Sequence, residues 1–144
     1  MPVICVTVSK STSLIATLKS YMAYVPAALL TVGIAVLSLW ENPHVPHSLQ
    51  VSDKVMHGLM YTMLAVAWMA PVVNRRPTVL TGTVVCLAVT FYGAFLEWLQ
   101  HTCTTTRSGE WLDVAADWVG AALGVVVTGL VCWLWRKHTH TTSR

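Results

Sequence analysis

Four long apolar stretches, separated by short polar connectors, run along the chain. The first is Tyr21 to Trp40, and no charge falls between Lys19 and Glu41. The second runs from Val55 to Val73, with His57 as its charge-bearing side chain. The third runs from Thr78 to Leu96 and ends at Glu97, Trp98 and Gln100. The fourth starts at Leu112 or Val114 and reaches Trp135, interrupted by Asp117 near its start. Each is close to the roughly 20 residues a helix needs to cross about 30 Å of hydrocarbon. All are much longer than buried strands of about four to eight residues, so the pattern predicts helices. The connectors agree. Asn74-Arg75-Arg76-Pro77 is a short turn whose proline can start the next helix. Pro43 and Pro46 forbid regular helix between Glu41 and Ser52, and His101 to Gly109 is polar and Thr-rich. Pro26 falls early in the first stretch, where a kink or first-turn position tolerates it. A cleaved signal peptide is the alternative for that stretch, but Ser38-Leu39-Trp40-Glu41 makes a poor cleavage site.

The expected fold is therefore all-α, an integral membrane four-helix bundle: tail 1–19, transmembrane domain 20–135 and basic tail 136–144. Composition supports it, since 55% of the 144 residues are hydrophobic and 10% charged. A soluble domain carries roughly 25% charged residues. No Lys/Arg cluster is large enough for nucleic acid, so membrane lipids are the expected surroundings. Seven of the nine basic residues (Lys10, Lys19, Arg75, Arg76, Arg136, Lys137, Arg144) fall on one side of the threading, against Lys54 and Arg107 on the other. The positive-inside rule then predicts both termini in the cytoplasm. Trp40, Trp98, Trp111 and Trp135, near span ends, fit an interfacial belt. The four cysteines fall at different depths with no Cys-x-x-Cys and are expected as free thiols, Cys103 the most accessible.

All six acidic residues, Glu41, Asp53, Glu97, Glu110, Asp113 and Asp117, lie at or near the end away from the basic tails. His57, His101, Lys54 and Arg107 lie there too. Helical spacing groups them. Asp53, His57 and Tyr61 descend the second helix in steps of four; Glu97, Gln100 and His101 continue the face of Gly93 on the third. Asp113, Asp117, Gly120 and Gly124 share a face of the fourth. Gly120-x-x-x-Gly124 permits close approach of another backbone, within the chain or in a second copy, so this face packs and carries its carboxylates inward. Gly82, Cys86, Val89 and Gly93 form a second packing seam.

Three segments in order carry a family resemblance: Asp53-Lys54-x-x-His57-x-x-x-Tyr61, then Glu97-x-x-Gln100, then Arg107-Ser108-Gly109-Glu110-Trp111-Leu112-Asp113-x-x-Ala116-Asp117-x-x-Gly120. Together they resemble the VanZ-like family over residues 20 to 135, with Asp117 standing where many relatives have Asn. The resemblance implies a bacterial cell-membrane protein in a family named for a member linked to resistance to glycopeptides such as teicoplanin. It implies neither resistance for this chain nor a mechanism.

The expected polar site comprises Asp53, Lys54, His57, Glu97, Gln100, Arg107, Asp113 and Asp117. Three readings compete. The preferred one is an outward-facing pocket for the head group of an amphiphile: a lipid, a lipid-linked cell-wall precursor or a lipoglycopeptide. Arg107 and Lys54 would grip phosphate or carboxylate. A second is a lipid-head-group hydrolase or transferase with His57, oriented by Asp53, as acid–base. No Gly-x-Ser-x-Gly is present. A third is a structural ion-pair network fixing helix register. Asp53/His57, Glu97/His101 and Asp113/Asp117 are pairs four apart that suit a divalent cation chemically. The Glu-x-x-His spacing of di-iron bundles is absent, and Lys54 and Arg107 already bring positive charge. No metal and no cofactor are expected. His44 and His47, beside Pro46, read as solvated; His138 and His140 sit in a basic tail suited to anionic lipid.

Overall fold

The computed structural model describes residues 14–15, 17–40, 53–75, 78–103 and 111–141. It has four principal helices and, among the described residues, no strand: α1 (Val25–Leu39), α2 (Asp53–Met69), α3 (Val79–Cys103) and α4 (Trp111–Thr141). A 3-10 segment, Ala70–Arg75, follows α2. Four helical stretches are long and apolar enough to span a membrane: Thr17–Leu39, Lys54–Val73, Val79–Cys103 and Trp111–Thr139. Their outward faces carry exposed Leu29, Val32, Leu59, Met63, Leu87, Phe91, Leu123 and Val126, the surface expected of helices bathed in lipid.

The helix limits differ from the expected ones for identifiable reasons. The first span is already helical at residue 17, and Ala23 and Tyr24 form a turn just before α1. Pro26 has no N–H for the carbonyl four residues back and its ring crowds that carbonyl. The Tyr24 N–H instead tightens onto the Tyr21 carbonyl at 3.0 Å. At the end of α2, Pro71 has the same effect, and the chain narrows to 3-10 geometry instead of remaining α-helical to Val73. Helix α3 continues past Leu96 to Cys103, so Glu97 and Gln100 are helical and the following loop starts later than predicted. Helix α4 continues through the first part of the basic 136–144 tail, to Thr141. At 31 residues it is about 46 Å long, more than the roughly 30 Å of hydrocarbon. Its extra turns carry Arg136 and Lys137; the Lys137 ammonium lies 5.5 Å from the Trp133 ring centroid, a cation–π contact.

Inter-helix contacts fix the topology. Lys54 meets Asp113 near the starts of α2 and α4, and Arg136 Nη2 donates to the Val73 carbonyl at 3.1 Å near their ends. These two helices are parallel. Helix α3 runs the other way, bringing Glu97 near its C-terminal end to His57 near the start of α2. Gln100 Nε2 donates to the Ser38 carbonyl at 2.8 Å, placing the end of α1 beside that of α3. The bundle is thus up-down-up-down.

Contacts between α2 and α4 are the most extensive in the molecule, and they are backbone-close. A Cβ built on Gly120 would lie 2.3 Å from the Gly58 carbonyl oxygen, and one on Gly124 2.5 Å from that of Thr62. Thr62 Oγ1 donates to the Gly58 carbonyl at 2.7 Å and across the seam to the Gly120 carbonyl at 3.0 Å. The Gly120/Gly124 seam therefore packs within the chain. Helices in lipid gain little from hydrophobic association, so this close packing and cross-helix bonding is what joins them. Ile34, Tyr61, Leu64, Ala65, Val89, Leu96 and Ala121 form the core. Helix α1 leans on α2 and α3 through Thr31, whose Oγ1 accepts from Trp68 Nε1 at 3.3 Å and whose carbonyl accepts from the Tyr92 hydroxyl. The third-helix seam is as expected, with Gly82, Val89 and Gly93 buried and Cys86 half-buried. Cys86, Cys103 and Cys132 are free thiols, and Cys103 is exposed; Cys5 lies outside the described residues.

Candidate functional site

The parallel pairing of α2 and α4 sets their polar residues in rungs at one end of the bundle. In the outer rung, Lys54 Nζ lies 3.6 Å from Asp113 Oδ1, with the lysine side chain 42% exposed and the aspartate 8%. One turn further in, the His57 Nδ1–H donates to Asp117 Oδ1 at 2.9 Å. A carboxylate can only accept, so the ring proton sits on Nδ1 and Nε2 is directed elsewhere. It faces α3, where Glu97 Oε1 lies 3.9 Å away. Further in still, Gly58 and Gly120 bring the two backbones together.

His57, Glu97 and Asp113 are buried, and Asp117 has no exposed surface at all. Two glycines make that burial possible. Gly120, three residues after Asp117, draws α4 onto α2. Gly93 on α3 leaves the space Asp117 Oδ2 occupies, because a Cβ there would lie 2.3 Å from that oxygen. The same Cβ would be 2.9 Å from Tyr61 Cε1. Tyr61 lies almost parallel to the His57 ring, at 5° and 6.2 Å between centroids, and forms the floor beneath it. One donor atom each from His57, Glu97 and Asp113 lies within 4.8 Å of the others. Asp113 Oδ1 and Asp117 Oδ2 are buried and, among the described residues, accept no hydrogen bond.

Six of the eight expected site residues have described side chains, and the structure sorts them. Lys54, His57, Glu97, Asp113 and Asp117 form one cluster. Gln100 is buried at the same end but reaches α1, where it satisfies the Ser38 carbonyl, one of the acceptors a helix end leaves without an intrahelical partner. The side chains of Asp53 and Arg107 lie outside the described residues, as do Glu41, His44, His47 and Glu110. His101, grouped by spacing with Glu97 and Gln100, is exposed on the last turn of α3. One turn along from Glu97, it has passed the end of the packed face. Asp117, rather than a residue on its own helix, is the described hydrogen-bond partner of His57. Spacing along one helix cannot reveal a partner on another. Gly58 also went unnoticed in the sequence, where it belongs to no glycine repeat.

Described residues also border clefts away from the polar cluster. One of about 480 Å³ is bordered by Met69, Gly82 and Val125, and one of about 320 Å³ by Thr31, Trp68, Val85 and Tyr92. Both are mostly apolar and open toward the lipid-facing surface, so the polar cluster is a better guide to chemistry than cleft size. Comparison with known proteins finds no family model, no curated protein and no solved structure that matches this chain.

Proposed function

We propose that this multi-pass protein lies in a bacterial cell membrane with both termini in the cytoplasm. Its polar end then binds the head group of an amphiphilic cell-envelope ligand from the extracytoplasmic side. The observation that carries the reading is the burial of His57, Glu97, Asp113 and Asp117, from three helices, in one cluster at one end of the bundle. Ionisable groups at membrane depth are costly, and they recur where a pathway or ligand needs them. Three carboxylates against Lys54 among the described residues favour a ligand rich in hydroxyl or amine donors. A lipid or lipid-linked cell-wall precursor bearing sugars fits, and a lipoglycopeptide offers groups of the same kind. Orientation rests on the seven-to-two division of Lys and Arg. Membership of the VanZ-like family belongs to the same proposal. Its support is the ordered resemblance of the three polar segments, and an effect on teicoplanin sensitivity is the phenotype to examine.

The test is mass spectrometry of lipids that co-purify with the protein. A discrete species should accompany the wild type and be absent from Asp113→Ala inserted at equal levels. Identical lipids on both proteins would refute the site assignment; if the substitution only lowers thermal stability, the network is structural. One observation favours a second reading. His57, held by Asp117, is an oriented imidazole of the kind that serves as general base. That reading expects turnover of a lipid head group by purified protein, lost in His57→Ala.

A further inference from the structure

We propose that His57, Glu97 and Asp113 form a divalent-cation site, with Asp117 as the positioning residue that orients the imidazole. The inference goes beyond head-group binding and does not depend on it. No single helix supplies the site: α2, α3 and α4 each contribute one ligand, and the donor atoms already lie within 4.8 Å of one another. Around a zinc-sized ion with bonds of about 2.0–2.2 Å, tetrahedral donors sit roughly 3.3–3.6 Å apart. His57 Nε2 and Glu97 Oε1, at 3.9 Å, are near that spacing. Closing the set takes side-chain shifts on the order of 1 Å, within the reach of a glutamate and an aspartate.

Two further observations point to a ligand. First, Asp113 Oδ1 is buried and, among the described residues, accepts no hydrogen bond: Lys54 Nζ forms an ion pair with it at 3.6 Å, beyond hydrogen-bonding distance. Second, the carboxylate of Asp117 takes the Nδ1–H, which leaves the Nε2 lone pair for a metal. Histidines that bind metals almost always donate their other N–H in this way, to a carboxylate or a carbonyl. One imidazole and two carboxylates suit a borderline cation such as Zn²⁺ or Mn²⁺ better than Ca²⁺, which prefers six to eight oxygens. With three protein ligands a fourth position stays open, the arrangement of catalytic rather than structural zinc. Lys54 shares Asp113, but its side chain is nearly half exposed and its flexible stem can carry the ammonium out to water.

The experiment strips purified protein with a chelator and titrates it with Zn²⁺ alone by calorimetry. Co²⁺ in its place reports the ligand set by visible absorption. One equivalent should bind to the wild type, and His57→Gln or Asp113→Asn should lose it. Asp117→Asn should weaken binding about 10- to 100-fold while the Co²⁺ spectrum keeps its ligand set. Lys54→Met should bind several-fold more tightly, because a competing cation is gone. Joint His138→Ala and His140→Ala should change nothing. The proposal is overturned if the wild type takes up no stoichiometric metal, if uptake survives in His57→Gln, or if it vanishes with the two tail histidines. Should His57→Gln fail to fold, Lys54→Met decides, and unchanged or weaker affinity there overturns it. No lipid takes part, so failure here leaves the head-group reading standing, and failure of lipid co-purification leaves the cation site standing.

Discussion

Gly120→Ala is the sharpest test of how the site is assembled. The added Cβ would sit 2.3 Å from the Gly58 carbonyl oxygen and 3.0 Å from the Gly58 Cα, where ordinary contact starts at 3.4 Å. These are backbone atoms at a helix crossing, so no rotamer change relieves the clash, and α4 must back away from α2 by about 1 Å. Gaps of roughly 0.5–1 Å already forfeit a quarter to a half of each contact's dispersion energy. The bond from Thr62 Oγ1 to the Gly120 carbonyl, 3.0 Å long, stretches too. Such inter-helix bonds average about 0.6 kcal/mol in membranes. With overpacking at about 1–3 kcal/mol, the net loss should be about 2 kcal/mol after the helix-propensity gain of up to about 1 kcal/mol from replacing glycine. The chain contains its own controls. A Cβ on Gly33 or Gly129 meets nothing within 4 Å. Gly33→Ala and Gly129→Ala should be neutral or slightly stabilising. The assay is reversible unfolding in mixed micelles, with the three variants compared side by side. If Gly120→Ala proves as stable as Gly129→Ala, the close α2–α4 crossing is wrong, and with it the alignment of Asp113 and Asp117 beside Lys54 and His57.

Three other outcomes follow from the same geometry. Gly93→Ala should push Asp117 Oδ2 off its position and lower stability; combined with Asp117→Asn, the two costs should fall well short of additive, as a double-mutant cycle would show. His57→Ala should cost about 3–5 kcal/mol in unfolding measurements, because it leaves the fully buried Asp117 carboxylate without its described hydrogen-bond partner; a loss below about 1 kcal/mol would mean that Asp117 is neutral or solvated. Cys103, exposed at the polar end, should react with a membrane-impermeant maleimide added to intact cells; labelling only after permeabilisation would invert the proposed orientation.

The sequence revealed the spans well because a transmembrane helix is written in a single uninterrupted property, apolarity over about 20 residues. It revealed the inward faces of α3 and α4 because Gly93, Glu97, Asp113, Asp117 and Gly120 repeat at helical spacing. The limits of α2 were harder to see: Pro71 sits within an apolar run, and hydropathy takes no account of a missing N–H. Pairings between helices were not legible. Which residue meets His57 depends on the register of α2 against α4, and that register is set by Gly58 lying against Gly120. A lone glycine is silent in a sequence until its opposite backbone is known.

The packing seam and the polar cluster are one construction. From the outer end inward, α2 and α4 pair Lys54 with Asp113, His57 with Asp117, Gly58 with Gly120 and Thr62 with Gly124. Arg136 closes the far end on the Val73 carbonyl. The glycine rungs draw the backbones together, and at that separation His57 Nδ1 reaches Asp117 at 2.9 Å. Helix α3 then decides what the pair can do. Gly93 accommodates the rear oxygen of Asp117, and Glu97, one turn along, lies 3.9 Å from the Nε2 edge of the imidazole. A purely structural ion pair would need only α2 and α4. Glu97 on α3, also buried, brings a third carboxylate up to the histidine that Asp117 already holds. Such an arrangement makes physical sense if something positively charged or rich in donors comes to occupy the space between the three helices.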